Sequence, residues 1–319
     1  MTSDRARKKW LNRLLFVLVL IAVGWYLYDN VGELSGTDLR FRGGFLLLGF
    51  TCSIAGYVIN MVIWHRLADS FGLRAAFLPT ARAWVLSRLG RYVPGKVLLL
   101  YIRMNLYRGL PRKNVALATV TEYLASLAAS CLILIAAVVS FPSGLAAHVA
   151  LIAAACLVVF AALLHPRTMG RIVNRLLERF NRKPIESLPP YGILVRYVLA
   201  CLLPVMFHGL AFFFLLNSLG EVPFRYFIPV TGVYYGAALL GMAAFFTPSG
   251  IGVREGLMFL VLPSMIARST VIVGAIAVRI MATSSELMLA GVLSLLARNR
   301  QGIQPGSKGA YRKEGPADG

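Results

Sequence analysis

Charged side chains occur inside stretches of this sequence that are otherwise apolar. Arg82, Arg88, Arg91, Lys96 and Arg103 fall between Thr80 and Tyr107, among Trp84, Leu86, Leu89, Tyr92 and the run Val97 to Ile102. Glu122, Arg254, Glu255, Arg279 and Glu286 stand within other apolar blocks. A cation costs about 2.5–3.5 kcal/mol at the centre of a bilayer, so each such residue needs an internal partner or a task. Arg279, Thr283 and Glu286 recur at i, i+4 and i+7, which places them on one inward-looking face of a helix. Internal salt bridges, such as Arg279 with Glu255 or Lys96 with Glu122, satisfy part of the set. The cations nevertheless outnumber Glu122, Glu255 and Glu286, and the surplus calls for an anion. Arginine binds phosphate through a bidentate fork, so the anion expected in a bilayer is a phosphate headgroup.

Other chemistries fail on spacing. Gly90 to Lys96 mimics a phosphate-binding Walker loop, but Val97 replaces the hydroxyl residue that holds magnesium, and no strand precedes it. His65 and Asp69 are one residue too close for the H-x4-D of lipid acyltransferases, and no D-x-D pair is present for a sugar nucleotide. Cys52, Cys131, Cys156 and Cys201 lie in apolar blocks without metal-ligand spacing and read as small hydrophobes. No metal or other cofactor is expected. His208, in a segment containing Pro204, reads as a hydrogen-bonded packing residue, and Gly232-x3-Gly236 as close helix packing.

The elements that position these residues are helices in a membrane. The chain is 58% hydrophobic and 14% charged over 319 residues, more apolar surface than one soluble core can hide. The apolar blocks are Leu14 to Tyr28, Gly43 to Trp64, Val115 to Phe141, Ala146 to His165, Ile193 to Leu216, Phe227 to Phe246, Ile251 to Ile266 and Thr270 to Ala297. Most approach the roughly 20 residues that span a bilayer as helix. Leu14 to Tyr28 follows a basic segment without a cleavage site and reads as a retained span rather than a secretory signal. Pro94-Gly95 interrupts the charged stretch and Pro248-Ser249-Gly250-Ile251-Gly252 interrupts a later one. The fold expected is therefore all-α and membrane-integral, with about six full transmembrane helices and two proline-broken re-entrant pairs, Thr80 to Tyr107 and Phe227 to Ile266. An eight- or nine-span arrangement fits hydropathy equally well. Paired interruptions in corresponding halves point to an inverted repeat.

Charge orients the arrangement. The formal net charge is +20. With residues 1–13 cytoplasmic, the stretch Arg66 to Lys113, the segment Arg167 to Lys183 and a disordered tail over 298–319 share that side and hold most of the 33 basic residues. The opposite loops keep Arg40, Arg42, Arg225 and Arg268. This distribution favours an anionic membrane surface as partner over nucleic acid. Arg167, Arg171, Arg175 and Arg179 recur every four residues, with Met169, Ile172, Leu176 and Phe180 on another face. That pattern fits either a helix lying on the membrane or a solvated helical loop.

Ser87-Arg88-Leu89-Gly90-Arg91-Tyr92-Val93-Pro94-Gly95-Lys96, then Glu122, then Thr247-Pro248-Ser249-Gly250-Ile251-Gly252-Val253-Arg254-Glu255-Gly256, resembles the lysylphosphatidylglycerol synthetase transmembrane-domain family, also called flippase-like. The resemblance covers residues 14–297. It implies a domain that moves lipids between leaflets in a bacterial cytoplasmic membrane; the charge distribution puts both termini on the cytoplasmic side. The aminoacyl-lipid synthetase domain of the larger members is expected to be missing. Ser249, where glycine is usual, and Tyr123, where arginine is frequent, depart from the pattern.

The function expected is translocation of an anionic phospholipid, glycolipid or polyprenyl-linked lipid, without an ATPase. Arg88, Arg91, Lys96, Arg254 and Arg279 are expected on the headgroup, and Glu122, Glu255 and Glu286 in charge balance or relay. Pro94, Gly95, Pro248, Gly250 and Gly252 break the helices. Two alternatives stand beside this: a membrane-embedded glycosyl or phosphoryl transferase using Glu122 or Glu255, and a scaffold for a lipid-biosynthetic partner enzyme.

Overall fold

The computed structural model describes residues 41–92, 97–107, 109–138, 145–179, 181, 183–185, 188–243, 250 and 252–298. The expected first span, Leu14 to Tyr28, and both terminal segments lie outside them. The described residues form ten α-helices in order: α1 Gly43–Ser70, α2 Phe77–Arg88, α3 Val97–Leu106, α4 Arg112–Val138, α5 Leu145–Leu164, α6 Pro166–Arg179, α7 Tyr191–Leu219, α8 Phe227–Ala243, α9 Val253–Val261 and α10 Arg268–Arg298. The described residues hold no strand.

Among the described residues, six helical segments are long and apolar enough to cross a membrane. Five are α1, α4, α5, α7 and α10, as the apolar blocks predict. The sixth is Phe224–Ala243, which includes α8 and which the sequence assigns to the second re-entrant pair. Its 20 residues reach about 30 Å, the thickness of the hydrocarbon core. In contrast, α2 has 12 residues, α3 has 10 and α9 has 9, so none exceeds about 18 Å.

Both interrupted regions fold back on themselves. Tyr107 lies beside Thr80, Arg103 hydrogen-bonds to Ser87, and Gly90 meets Leu99. Residue numbers that rise along α2 fall along α3, so the two helices form an antiparallel hairpin. In the same way Gly241 meets Gly250, and Gly236 meets Leu257, across α8 and α9.

The halves are built alike. The order span, hairpin, span occurs as α1, α2–α3, α4 and again as α7, α8–α9, α10. Packing is reciprocal: α2 lies on α10 as α8 lies on α4, α1 touches α10 as α7 touches α4, and α1 pairs with α7. The backbone N–H of Arg42 donates to Ser218, Phe45 stacks on Phe214 and Tyr57 on His208, so α1 and α7 run antiparallel. The two sets therefore insert in opposite senses, as an inverted repeat requires. Each hairpin has its own core. One gathers Trp64, Leu67, Trp84 and Val115; the other gathers Phe212, Leu216, Val230 and Met258.

Helix ends share a common level. Gly72, in the left-handed conformation, closes α1: its N–H donates to Asp69 and that of Leu73 to Ala68. Asn114 at the start of α4 donates to the Phe71 carbonyl (2.9 Å), Ser70 lies beside Tyr197 near the start of α7, and His165 after α5 packs on Tyr191. Arg66, Arg74, Arg112, Lys113, Arg196 and the arginines of α6 are exposed at this face. The other face carries Arg42, Arg225 and Arg268, with Arg42 paired to Glu221.

Candidate functional site

Among the described residues, Glu122, Glu255 and Glu286 each pair with an arginine. Arg103 on α3, 1% exposed, pairs with Glu122 on α4; Lys96, the partner expected for that carboxylate, lies outside the described residues. Its Nε donates to Ser87 (3.0 Å), its guanidinium lies 4.1 Å from the Trp64 ring, and the Trp84 indole donates to Glu122 (2.5 Å). These contacts fasten the first hairpin to α4. Glu255 on α9 pairs with Arg279 on α10, as the sequence predicts, and also accepts the Gly252 N–H (2.7 Å). Arg279 reaches the Gly250 carbonyl as well (3.3 Å).

Gly250 and Gly252 have φ of +71° and +84°, a conformation that side chains resist, so the chain reverses between α8 and α9 where the expected helix break lies. Seven residues beyond Arg279, the fully buried Glu286 accepts from Arg88 Nε of α2 (3.1 Å). The inward face Arg279–Thr283–Glu286 thus ties α10 to both hairpins.

Between the hairpins lies a cavity of about 190 Å³. Both halves line it: Tyr57 and Asn60 of α1, Arg88 of α2, Ser126 of α4, His208 of α7, Tyr234 and Tyr235 of α8, and Arg254 of α9. His208 donates from Nδ1 to the Pro204 carbonyl (2.7 Å) and packs edge-on to Tyr57 at 4.7 Å. Gly56 makes this possible, because a Cβ there would come within 2.5 Å of the ring. Arg88 lies 4.7 Å from the Trp84 ring and 5.6 Å from Tyr57.

Arg254 differs from the other arginines of the site. Its guanidinium stands 5.2 Å from the Tyr234 ring, and its Nε is buried without a hydrogen-bond partner. Among the described residues no carboxylate pairs with it. Arg82 Nε and His65 Nδ1 share the unpaired state, but neither residue lines the cavity. A buried donor left without an acceptor costs about 1–3 kcal/mol, more when charged, so an incoming anion recovers that energy. A second, larger crevice of about 650 Å³, between Phe41–Phe50, Leu215, Leu219 and the first half of α10, is lined by apolar residues and Ser284.

A transmembrane family model, described as the lysylphosphatidylglycerol synthase TM region, matches residues 10–288. The chain belongs to this family. It is thus a multi-pass membrane protein whose family is tied to lipid flipping and synthesis. None of the curated proteins matches it.

Of the headgroup residues expected from sequence, Arg88 and Arg254 line the cavity, whereas Arg279 is committed to Glu255 and Gly250. The Arg91 side chain, Lys96, Pro94, Gly95, Pro248 and Ser249 lie outside the described residues. Tyr57, Asn60, Tyr234 and Tyr235 were not foreseen, since neutral residues in an apolar block carry no signal of the direction they face. Arg103 was visible only as one cation among five.

Proposed function

We propose that the protein translocates a lipid with an anionic headgroup across a bacterial cytoplasmic membrane, with its basic face to the cytoplasm. The lipid is an anionic phospholipid, a phosphorylated glycolipid or a polyprenyl phosphate. The observation that carries this reading is Arg254, an arginine without a carboxylate partner among the described residues, aimed with Arg88 into a cavity between two inverted hairpins. The headgroup phosphate takes the place of the missing anion, while Asn60, Ser126 and the tyrosines supply neutral hydrogen-bonding groups. Because the cavity is shared by both halves, rocking one half against the other exposes it to alternate leaflets. The transferase reading gains no support, since Glu122 and Glu255, the carboxylates it needs as bases, are each held by an arginine.

The test is reconstitution of the purified protein in vesicles carrying fluorescent phosphatidylglycerol, a phosphorylated glycolipid or a polyprenyl phosphate. Losing a charge-assisted hydrogen bond worth about 1.5–3 kcal/mol should weaken headgroup capture roughly 10- to 100-fold in Arg254→Ala, with partial recovery in Arg254→Lys. Exchange no faster than in empty vesicles for all three lipids would sink the proposal.

A further inference from the structure

Helix α6 is not part of the cavity, and its surface has a chemistry of its own. It starts one residue after the membrane span α5 ends, with the Met169 N–H donating to His165 (2.9 Å). Its roll about its axis is fixed. Met169 is buried and contacts Thr121 of α4, Val173 packs on the same core, and Asn174 accepts the Ile185 N–H (2.9 Å). The returning chain places Leu188 against Gly170.

With that roll, Met169 parts from the other apolar residues of its predicted face. Ile172 and Leu176 point outward, 50% and 57% exposed, and the exposed Arg167, Arg171, Arg175 and Arg179 run beside them at four-residue spacing. Exposed Tyr191 stands at the same level, packed on His165, where aromatic residues mark a membrane interface. The lipid-exposed residues Val158 and Val159 of α5 lie just below.

We infer that α6 is an interfacial helix seated on an anionic leaflet. Ile172 and Leu176 enter the acyl boundary, and the four arginines lie among headgroup phosphates. Three observations select a lipid surface over a soluble partner. The bilayer is already adjacent, because α6 continues a span after one intervening residue. The charge is complementary, with Arg66, Arg112, Lys113 and Arg196 exposed on the same face of the protein. The two apolar side chains sit at the edge of the arginine row, the arrangement by which amphipathic helices lie in the interface plane. This inference does not depend on lipid translocation.

The experiment uses the full chain with Cys52, Cys131, Cys156 and Cys201 replaced by alanine and one spin-labelled cysteine introduced as Ile172→Cys, Leu176→Cys or Glu178→Cys. Vesicles of phosphatidylglycerol with phosphatidylethanolamine are compared with phosphatidylcholine alone. In the anionic vesicles, labels at 172 and 176 should collide with oxygen and exclude an aqueous nickel chelate, while the label at 178 stays accessible to it. Each arginine near an anionic surface multiplies affinity for that surface about fivefold, so Arg171→Gln with Arg175→Gln should cut the preference roughly 25-fold. A nickel chelate that reaches 172 and 176 as freely as 178 in anionic vesicles overturns the inference and leaves this face to a soluble partner. Should the cysteine-free protein not fold, hydrogen exchange of the unaltered chain decides: residues 166–179 must be more protected in anionic than in zwitterionic vesicles, and equal protection refutes the seating.

Discussion

Glu122→Ala is expected to loosen the first hairpin. The carboxylate is the acceptor for two buried donors, the Arg103 guanidinium and the Trp84 indole. Removing it leaves Arg103, 1% exposed, with Ser87 and a long contact to Thr119 as its remaining hydrogen bonds. Breaking a buried ion pair from one side costs about 3–5 kcal/mol, because the surviving charge cannot return to water. For a chain of this size each kcal/mol shifts Tm by about 2–4 °C, so unfolding in detergent should fall by roughly 6–20 °C. Glu122→Gln keeps an acceptor for the indole and should lie between. The double variant Arg103→Met with Glu122→Met removes both charges and should be markedly more stable than the sum of its single changes. A Tm within 2 °C of the unaltered protein for Glu122→Ala, or strict additivity in the double variant, refutes a stabilising buried pair; the ~2 °C threshold is the smallest shift expected per kcal/mol.

Three further outcomes follow from close packing. Gly232→Val should destabilise by about 1–3 kcal/mol in thermal unfolding, because even a Cβ at this position collides with Ala137 of α4. Gly250→Ala should lower stability by about 1–3 kcal/mol, since φ is +71° and the new Cβ would approach the Gly241 Cα at 2.6 Å. Gly241→Ala should slow lipid exchange more than it lowers Tm, because its Cβ would press on Arg254 Cγ at 2.7 Å and displace the guanidinium from the cavity.

What was legible in the sequence was what charge and spacing encode. A seven-residue interval on α10 points to an inward face, and the pairing of Arg279 with Glu255 is readable because both are charges inside apolar blocks that need an internal partner. The partner of Glu122 was not legible. That Arg103 reaches it depends on the register of α2 against α3, and that register is set by tertiary contacts such as Gly90 on Leu99. Hydropathy likewise does not distinguish a 17-residue α8, extended to 20 by the turn before it, from half of a re-entrant pair. The aromatic lining of the cavity emerged only with the antiparallel packing of α1 on α7, which brings His208 over Gly56 and beside Tyr57.

Ion pairs fasten helix α10 to α9 through Arg279 and to α2 through Glu286. Seven residues of helix put these fastenings about 10.5 Å apart along a stiff axis. Such a helix works as a connecting rod. Tilting or sliding it loads both hairpins at once, so a displacement begun in either half is delivered mechanically to the other without any signal having to cross the cavity itself.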